Sequence, residues 1–340
     1  MTTPPSLDEA VSSGAGSTPG PNVVALGGGH GLAACLQALR LVTDRLTAIV
    51  TVADDGGSSG RLREEFPGLL PPGDLRMALA ALSGDGDTWQ RLLQHRFPGG
   101  GDLGGHAVGN LLITALTQLS GNPVGALDTL NGLLGGPGRV LPMATVPLDI
   151  VAEVMGAGIM GAGAPDGPVA GLGDNTEVRG QHSVATTTGR VLGVHLQPVN
   201  PPACPEALAA VGAADWVVLG PGSWFTSVLP HLLVPELAAA ITKTDARRCV
   251  VLNLAAQAGE TQGFSPEAHL EVLAAYASGM RIDVVVADSS LVPDPHGLMS
   301  VARSLGAEVI LAPVAHDDGS PRHDTARLAE VFAGFMGGRH

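Results

Sequence analysis

The apolar residues of this chain occur in short consecutive runs and in longer stretches that repeat every three or four positions. Consecutive runs are typical of buried strands, and the longer spacing is typical of helices. We predict strands at 23–26, 46–53, 216–219, 249–254, 282–287 and 309–311, with helical segments between them. This alternation predicts an α/β fold, a three-layer α/β/α Rossmann-like domain with a mostly parallel sheet.

The middle of the chain follows a different pattern. We predict helices at 75–82, 107–119 and 124–134, and a last helix at about 323–335. Strand-like segments at 150–154 and 191–196 surround a glycine-rich stretch at 156–173, which predicts a small β-rich lobe inserted at 139–199. A single domain should then cover 22–336. Residues 1–21, rich in Ser, Thr, Pro and Gly, should form a disordered tail.

Composition and charge exclude or disfavour several classes of protein and site. The 340 residues contain no apolar run of the roughly 18 residues that a membrane helix needs, and the start of the chain does not resemble a signal peptide, so a cytoplasmic protein is expected. The formal net charge of −14 disfavours binding to nucleic acid and to anionic membranes. Lys243 is the only lysine, which excludes a Walker A loop. The three cysteines form no CxxC pair, and no metal site is predicted.

The first glycine cluster, at 27–32, follows a predicted strand and opens a predicted helix. Glycines at this place let the backbone approach a phosphate at the helix N-terminus. A dinucleotide site and a purely structural turn are both compatible with the pattern. The candidate ligand-binding residues of this cluster are Gly28, Gly29, His30, Gly31 and Leu32.

The second cluster, at 54–61, lies at the end of the second predicted strand. Its glycine and serine N–H groups can form an anion-binding nest, with Arg61 as a further phosphate contact. Asp54 and Asp55 could hold Mg²⁺ or sugar hydroxyls. Gly57 and Ser58 complete the candidates. The letters at 56–60 also fit a hydrolase nucleophile elbow, but no acid–histidine pair is evident in the sequence, which disfavours that interpretation.

Further candidates follow other glycine turns or open helices. Asp74 is either a helix cap or a ligand contact. His106 and Asn110 face one side of a predicted helix, since they are four residues apart. The remaining candidates are Arg76, Gly222, Ser223, Gln257 and Arg322. Because several clusters follow strands of a parallel sheet, they should share one edge, where a polyphosphate ligand such as a nucleotide or nucleotide-sugar would bind.

Blocks at 27–32, 49–63, 71–76, 106–112, 220–227, 257–261 and 322–325 resemble, in this order, the YvcK family of gluconeogenesis factors, which are CofD-like proteins of the UPF0052 superfamily. The resemblance implies a fold shared with 2-phospho-L-lactate transferases. It also implies a cytoplasmic protein that binds UDP-sugars, notably UDP-N-acetylglucosamine, and supports cell-wall synthesis, cell shape and growth on gluconeogenic carbon sources. In some members of this family the threonine of the corresponding motif is a kinase target, so the resemblance implies Thr325 as the site that a Ser/Thr kinase would modify.

Three functions therefore remain open. The first is a regulator without catalytic residues, which needs no cofactor, binds a UDP-sugar and acts through cell-wall synthesis proteins or through its own dimerisation. The second is a 2-phospho-L-lactate transferase-like enzyme with Mg²⁺ on Asp54 or Asp55. The third is an NAD-dependent oxidoreductase, which rests on the first glycine cluster alone. Fold does not decide among them.

Overall fold

The computed structural model describes residues 20–84, 87–156, 175–257 and 260–337. Of the predicted tail only residues 20 and 21 are described, and of the glycine-rich stretch only Gly156, so both predictions lie almost entirely outside the described residues.

Seven parallel strands form the central sheet, in the order β10-β9-β8-β7-β1-β2-β3. The strands are β1 (Val23–Gly27), β2 (Leu46–Val50), β3 (Arg139–Pro142), β7 (Trp216–Leu219), β8 (Arg247–Val251), β9 (Val284–Asp288) and β10 (Glu308–Ala312). Except in the edge strand β10, which is only partly covered, their apolar runs are buried because helices cover both faces, as expected for a parallel sheet. The predicted three-layer α/β/α fold is confirmed.

The helices of the described residues pack mainly in pairs of neighbours. Their bounds are α1 (Gly29–Leu39), α2 (Gly57–Glu65), α3 (Pro72–Leu82), α4 (Asp87–Gln94), α5 (Val108–Ser120), α6 (Pro123–Leu133), α7 (Gln181–Ala185), α8 (Pro205–Gly212), α9 (Pro235–Lys243), α10 (Pro266–Tyr276), α11 (Pro295–Ser304) and α12 (Thr325–Met336). Helix α1 packs on α3 and α12, α5 on α6, α8 on α9, and α10 on α11. A π-helical turn (Trp224–Val228) and a 3₁₀ turn (Leu229–Leu233) lie between β7 and α9.

A second, antiparallel sheet forms the small lobe, with the order β5-β4-β6. Its strands are β4 (Asp149–Met155), β5 (Asn175–Arg179) and β6 (Arg190–Gln197). The predicted lobe boundary at 139 was wrong by one strand, because Arg139–Pro142 pairs with β2 at the edge of the main sheet. A segment such as Arg139–Pro142 could belong to either sheet by its composition, so the sequence does not show which strand it pairs with.

The strand order places β1 at the centre, with β2 on one side and β7 on the other. Strand order reverses between β1 and β7, and the crevice beyond the carboxyl ends of the strands at such a point is where α/β sheets bind ligands. No single helix in the described part of the chain is long and apolar enough to cross a membrane. Two consecutive helical segments, Trp224–Leu233 and Pro235–Lys243, pass that test only when joined, and they are bent by 82°.

Candidate functional site

Four helices begin at one cleft beside the carboxyl end of β1. The first turns of α1, α2 and α3 and the start of α5 line it, and its volume is about 280 Å³. We call it the switch-point cleft. Of the residues predicted from the sequence it collects Gly29, His30, Asp54, Gly57, Ser58, Asp74, Arg76 and Asn110. A helix N-terminus carries a partial positive charge and free N–H groups, so several of them around one cleft favour an anion.

Two glycines allow the elements around the cleft to approach each other. A Cβ on Gly28 would lie 2.6 Å from Asp74 Oδ2 and from Thr51 Cγ2, and one on Gly73 would lie 2.6 Å from Ser59 Oγ. Any larger residue would separate α1 from α3 or α2 from α3. The glycines that the sequence offers as phosphate contacts therefore also set the width of the cleft.

Asp74 is a cleft residue and does not cap its helix. The N-cap of α3 is Pro71, and Asp74 lies in the first turn with only 8% of its surface exposed. Burial, together with the nearby Asp54 carboxylate, raises the pKa of Asp74 to about 7. The cap interpretation was wrong because a proline start leaves no side-chain cap, so the acid in the first turn is free to face the neighbouring helices.

Two arginines supply positive charge. Arg76 is 4% exposed, and its Nη1 donates to Gln94 Oε1 over 2.5 Å. Burial, and secondarily the charge of Arg96, lowers the pKa of Arg76 to about 10, so it is charged at neutral pH. Arg96 lines the cleft from the loop after α4 and donates to the carbonyl oxygen of Gly105 over 2.8 Å.

Several buried polar atoms of the cleft have no hydrogen-bond partner among the described residues: Asp74 Oδ2, Arg76 Nε, Asn110 Oδ1 and the adjacent Thr51 Oγ1. Buried polar groups in native proteins are nearly always bonded, and an unmade bond costs about 1–3 kcal/mol. Two acceptors, one donor and a hydroxyl concentrated at one cleft indicate a polar ligand. Phosphate oxygens would satisfy the donor and sugar hydroxyls the acceptors.

A chain of hydrogen bonds joins α2 to α5 at the floor of the cleft. Ser58 Oγ lies 2.9 Å from His106 Nδ1, and Asn110 Nδ2 donates to Ser58 Oγ over 3.0 Å. All three residues are buried. The sequence predicted that His106 and Asn110 share a helix face, and the structure shows that Ser58 is what they meet.

Other predicted residues lie outside the cleft. Asp55 Oδ1 accepts from the backbone N–H of His182 over 2.9 Å, so it faces the small lobe while Asp54 faces the cleft. Arg61 donates to the carbonyl oxygen of Gly104 over 2.7 Å. Arg322 is bound to Asp318 on the surface. In the described part of the chain no three His, Cys, Asp or Glu side chains are grouped as metal ligands would be.

The turn at 220–223 packs against the first glycine cluster but is occupied by the protein itself. Gly222 N donates to Asn253 Oδ1 over 2.8 Å, and Trp224 N donates to Gln257 Oε1 over 3.2 Å. Glu260 accepts from Phe225 N over 2.9 Å. The loop after β8 therefore binds the donors that were predicted to face a phosphate, and Gln257 and Gly222 act structurally here. Ser223, between them, is the N-cap residue of the π-helical turn.

Leu32 is buried in the core, and Gly31 packs on Pro221, so neither lines the cleft. Sequence reasoning missed Arg96, Ser59 and Met77 as lining residues. Arg96 belongs to no glycine cluster, and its isolated β-bridge to Ala107, together with its hydrogen bond to Gly105, brings it beside α5. No sequence pattern could have identified it.

Fold and cleft together define a Rossmann-like α/β protein with a polar cleft at the switch point of its sheet. The chain belongs to the CofD family: the family model described as 2-phospho-L-lactate transferase CofD matches residues 23–328. A protein named "Putative gluconeogenesis factor" from Mycobacterium tuberculosis strain H37Rv is 52% identical over 92% of this chain and 89% of its own length. The gluconeogenesis factor of Bacillus subtilis is 34% identical over 93% and 98%.

A solved structure agrees with these similarities. The crystal structure of a UPF0052 family member from Bacillus halodurans superimposes with a TM-score of 0.80 at 33% identity, and the match covers 93% of this chain and 99% of that one. The resemblance drawn from the sequence motifs is confirmed at the level of family and fold.

Proposed function

We propose that this chain is a regulatory protein that binds a UDP-sugar, notably UDP-N-acetylglucosamine, in the switch-point cleft. The observation that carries the proposal is the group of unpartnered buried atoms on Asp74, Arg76 and Asn110 beneath four helix beginnings. The helix N-termini, Arg76 and Arg96 suit a diphosphate. Asp54, Asp74 and Asn110 suit the hydroxyl and amide groups of an N-acetylated sugar.

A role as regulator is supported by the relatives named gluconeogenesis factor. It would connect a nucleotide-sugar precursor of the cell wall to cell-wall synthesis proteins and to growth on gluconeogenic carbon sources. The competing function is a 2-phospho-L-lactate transferase-like enzyme, which the description of the family model favours. Its expected Mg²⁺ pair is divided here, since Asp54 faces the cleft and Asp55 binds the small lobe.

Thr325 suits the expected modification by a Ser/Thr kinase. It is the first residue of α12, next to the N-cap Asp324, whose carboxylate accepts from the N–H groups of Ala326 and Arg327 over 3.0 Å. A phosphate there would gain from the helix N-terminus and from Arg327 but would face the charge of Asp324. We propose that phosphorylation changes the hydrogen bonds and the charge at the start of α12 rather than acting in the cleft.

The proposal is tested by calorimetry and thermal shift with UDP-N-acetylglucosamine, UDP-glucose, NAD and GTP, each with and without Mg²⁺. A ligand at 100 times its Kd should stabilise the protein by about 2.7 kcal/mol. Arg96→Ala should weaken UDP-sugar binding by about tenfold, or about 1.4 kcal/mol, because it removes one charge-assisted contact. The matched control is Arg303→Ala, which removes an exposed arginine at the end of α11.

Two results would contradict the proposal: UDP-sugars that bind neither wild type nor control, or equal affinity in Arg96→Ala and Arg303→Ala. Stabilisation that requires Mg²⁺ and is lost in Asp54→Ala would instead favour the transferase. NAD as the only stabilising ligand would favour the oxidoreductase.

A further inference from the structure

The cleft contains a serine in contact with a histidine, and the binding of a nucleotide-sugar does not by itself require this arrangement. Ser58 lies in the first turn of α2, in the segment Gly56-Gly57-Ser58-Ser59-Gly60 whose letters fit a nucleophile elbow. From the sequence alone, no histidine or acid was evident as its partner. The structure supplies one, because His106 Nδ1 lies 2.9 Å from Ser58 Oγ although 48 residues separate them.

The neighbouring amide leaves the hydroxyl hydrogen of Ser58 available to His106. Asn110 Nδ2 donates to Ser58 Oγ over 3.0 Å and so occupies a lone pair of the oxygen, not its hydrogen. In the tautomer of His106 that carries its hydrogen on Nε2, Nδ1 accepts the hydroxyl hydrogen of Ser58. Burial, and secondarily the charge of Arg61, keeps the pKa of His106 below its ordinary value, so the imidazole is neutral. This is the arrangement of a nucleophile with its base.

The surroundings of Ser58 suit attack on a phosphorus atom. Helix α2 begins at Gly57, so the N–H groups of Gly57 and Ser58 belong to the first turn, where the helix offers them no partner. Arg76 and Arg96 line the same cleft. Preorganised donors and cations of this kind stabilise the negative charge that develops on phosphoryl oxygens during transfer.

We propose that Ser58 is a nucleophile toward phosphorus in the switch-point cleft, with His106 as its general base. The proposal deepens the proposed function, since the electrophile it names is the phosphoanhydride of a bound nucleoside diphosphate-sugar. The Ser58 O–H bond breaks and its proton passes to His106 Nδ1. A bond forms between Oγ and phosphorus, and the bond from that phosphorus to the bridging oxygen breaks, with the electron pair leaving on the departing phosphate.

The test uses a fluorophosphonate, in which fluoride is the leaving group, so that reactivity is measured without knowing the natural ligand. Intact-mass spectrometry of the purified full chain should show one phosphonyl group added, and peptide mapping should place it on Ser58. Ser58→Ala should abolish the addition. The matched control is Ser83→Ala, because Ser83 is also buried and bonded to a backbone carbonyl oxygen but lies at the end of α3, outside the cleft.

The variant His106→Asn tests whether His106 acts as a base or only positions Ser58. Asparagine can keep a hydrogen-bond acceptor near the place of Nδ1 but cannot take the proton, so labelling should slow by at least about 100-fold. Melting temperature and UDP-N-acetylglucosamine binding, measured on each variant, show whether it is folded. Saturating UDP-N-acetylglucosamine should slow the labelling of wild type.

Three results would overturn the proposal: a wild type that is not labelled, labelling that survives in Ser58→Ala, or a folded His106→Asn that reacts at the rate of wild type. If UDP-N-acetylglucosamine binds while labelling fails, the nucleophile is refuted and the proposed function stands. If labelling succeeds and no UDP-sugar binds or competes, the proposed function is refuted and the nucleophile acts on another phosphorus compound.

Discussion

Replacing Asp74 by asparagine should change how the stability of the protein depends on pH. The pKa of Asp74 is about 7 in the folded protein, against 3.8 for an ordinary aspartate, because the group is buried and faces Asp54. The folded state therefore holds a proton on Asp74 more tightly than the unfolded chain does. This contribution to stability is fully present below about pH 4 and is lost as the pH rises through 7.

The size of the effect follows from the two pKa values. One unit of difference corresponds to about 1.4 kcal/mol, so the complete loss is about 4 kcal/mol. Between pH 5 and pH 8 the free energy of unfolding of wild type should fall by about 2.5 kcal/mol more than that of Asp74→Asn. Asparagine has the same shape and can still accept a hydrogen bond through Oδ1, so the packing against Gly28 should be preserved.

Urea unfolding, followed by tryptophan fluorescence at pH 5, 6, 7 and 8, measures this difference. Titrating groups away from the cleft are common to the two proteins and cancel when the curves are subtracted. Asp44→Asn, which removes an exposed carboxylate outside the cleft, controls for the loss of one negative charge. The reasoning is refuted if the wild-type and Asp74→Asn stabilities stay parallel from pH 5 to pH 8, or if Asp44→Asn shows the same divergence.

Two further predictions concern packing around the cleft. A Cβ on Gly31 would lie 2.6 Å from the carbonyl carbon of Pro221, so Gly31→Ala should lower the free energy of unfolding by about 1–3 kcal/mol in urea titrations. The control Gly334→Ala in α12, where nothing lies within 4 Å of the new Cβ, should instead raise the free energy of unfolding by up to about 1 kcal/mol. Equal stabilities of the two variants would contradict the close packing of Gly31 on Pro221. Asp149→Asn should weaken the ion pair of β4 with Arg63 of α2 and the pair with Arg179 inside the small lobe, so backbone amides of α7 should exchange hydrogen faster while those of β1 do not change. Unchanged exchange in α7 would show that the lobe is held in other ways.

The sheet and its order of elements were predictable because buried parallel strands have a local signature. The runs at 23–26 and 216–219 are apolar at every position, and the structure has strands there with almost the same bounds. β3 was assigned to the wrong sheet because four residues carry no information about which strand they pair with. Pairing is decided by the burial of a whole face, which only the assembled sheet provides.

The site was predictable only in part, because residues in the same local sequence pattern can either face a ligand or form hydrogen bonds with other parts of the protein. Asp54 and Asp55 are equivalent in the sequence, yet in the loop after β2 Asp54 lines the cleft while Asp55 accepts from the backbone N–H of His182 at the small lobe. The turn at 220–223 has the glycines of a phosphate loop. Its backbone N–H groups are already bonded, since Gly222 N donates to Asn253 and Trp224 N, just after the turn, donates to Gln257, both in the loop after the neighbouring strand.

The contact between Ser58 and His106 was missed for the opposite reason: nothing in the local pattern of either residue indicates that the two meet. Each residue taken alone favours a structural interpretation: a serine in the first turn of a helix and a histidine just before another. Their combination depends on the angle at which α5 meets α2, and that angle is set by how closely Gly109 of α5 lets the helix approach Arg76 of α3. A Cβ on Gly109 would lie 2.7 Å from Arg76 Cγ, so a larger residue there would move His106 and Asn110 away from Ser58. The contact between Ser58 and His106 thus depends on a glycine outside the segment 56–60, which is why the motif around Ser58 alone could not reveal it.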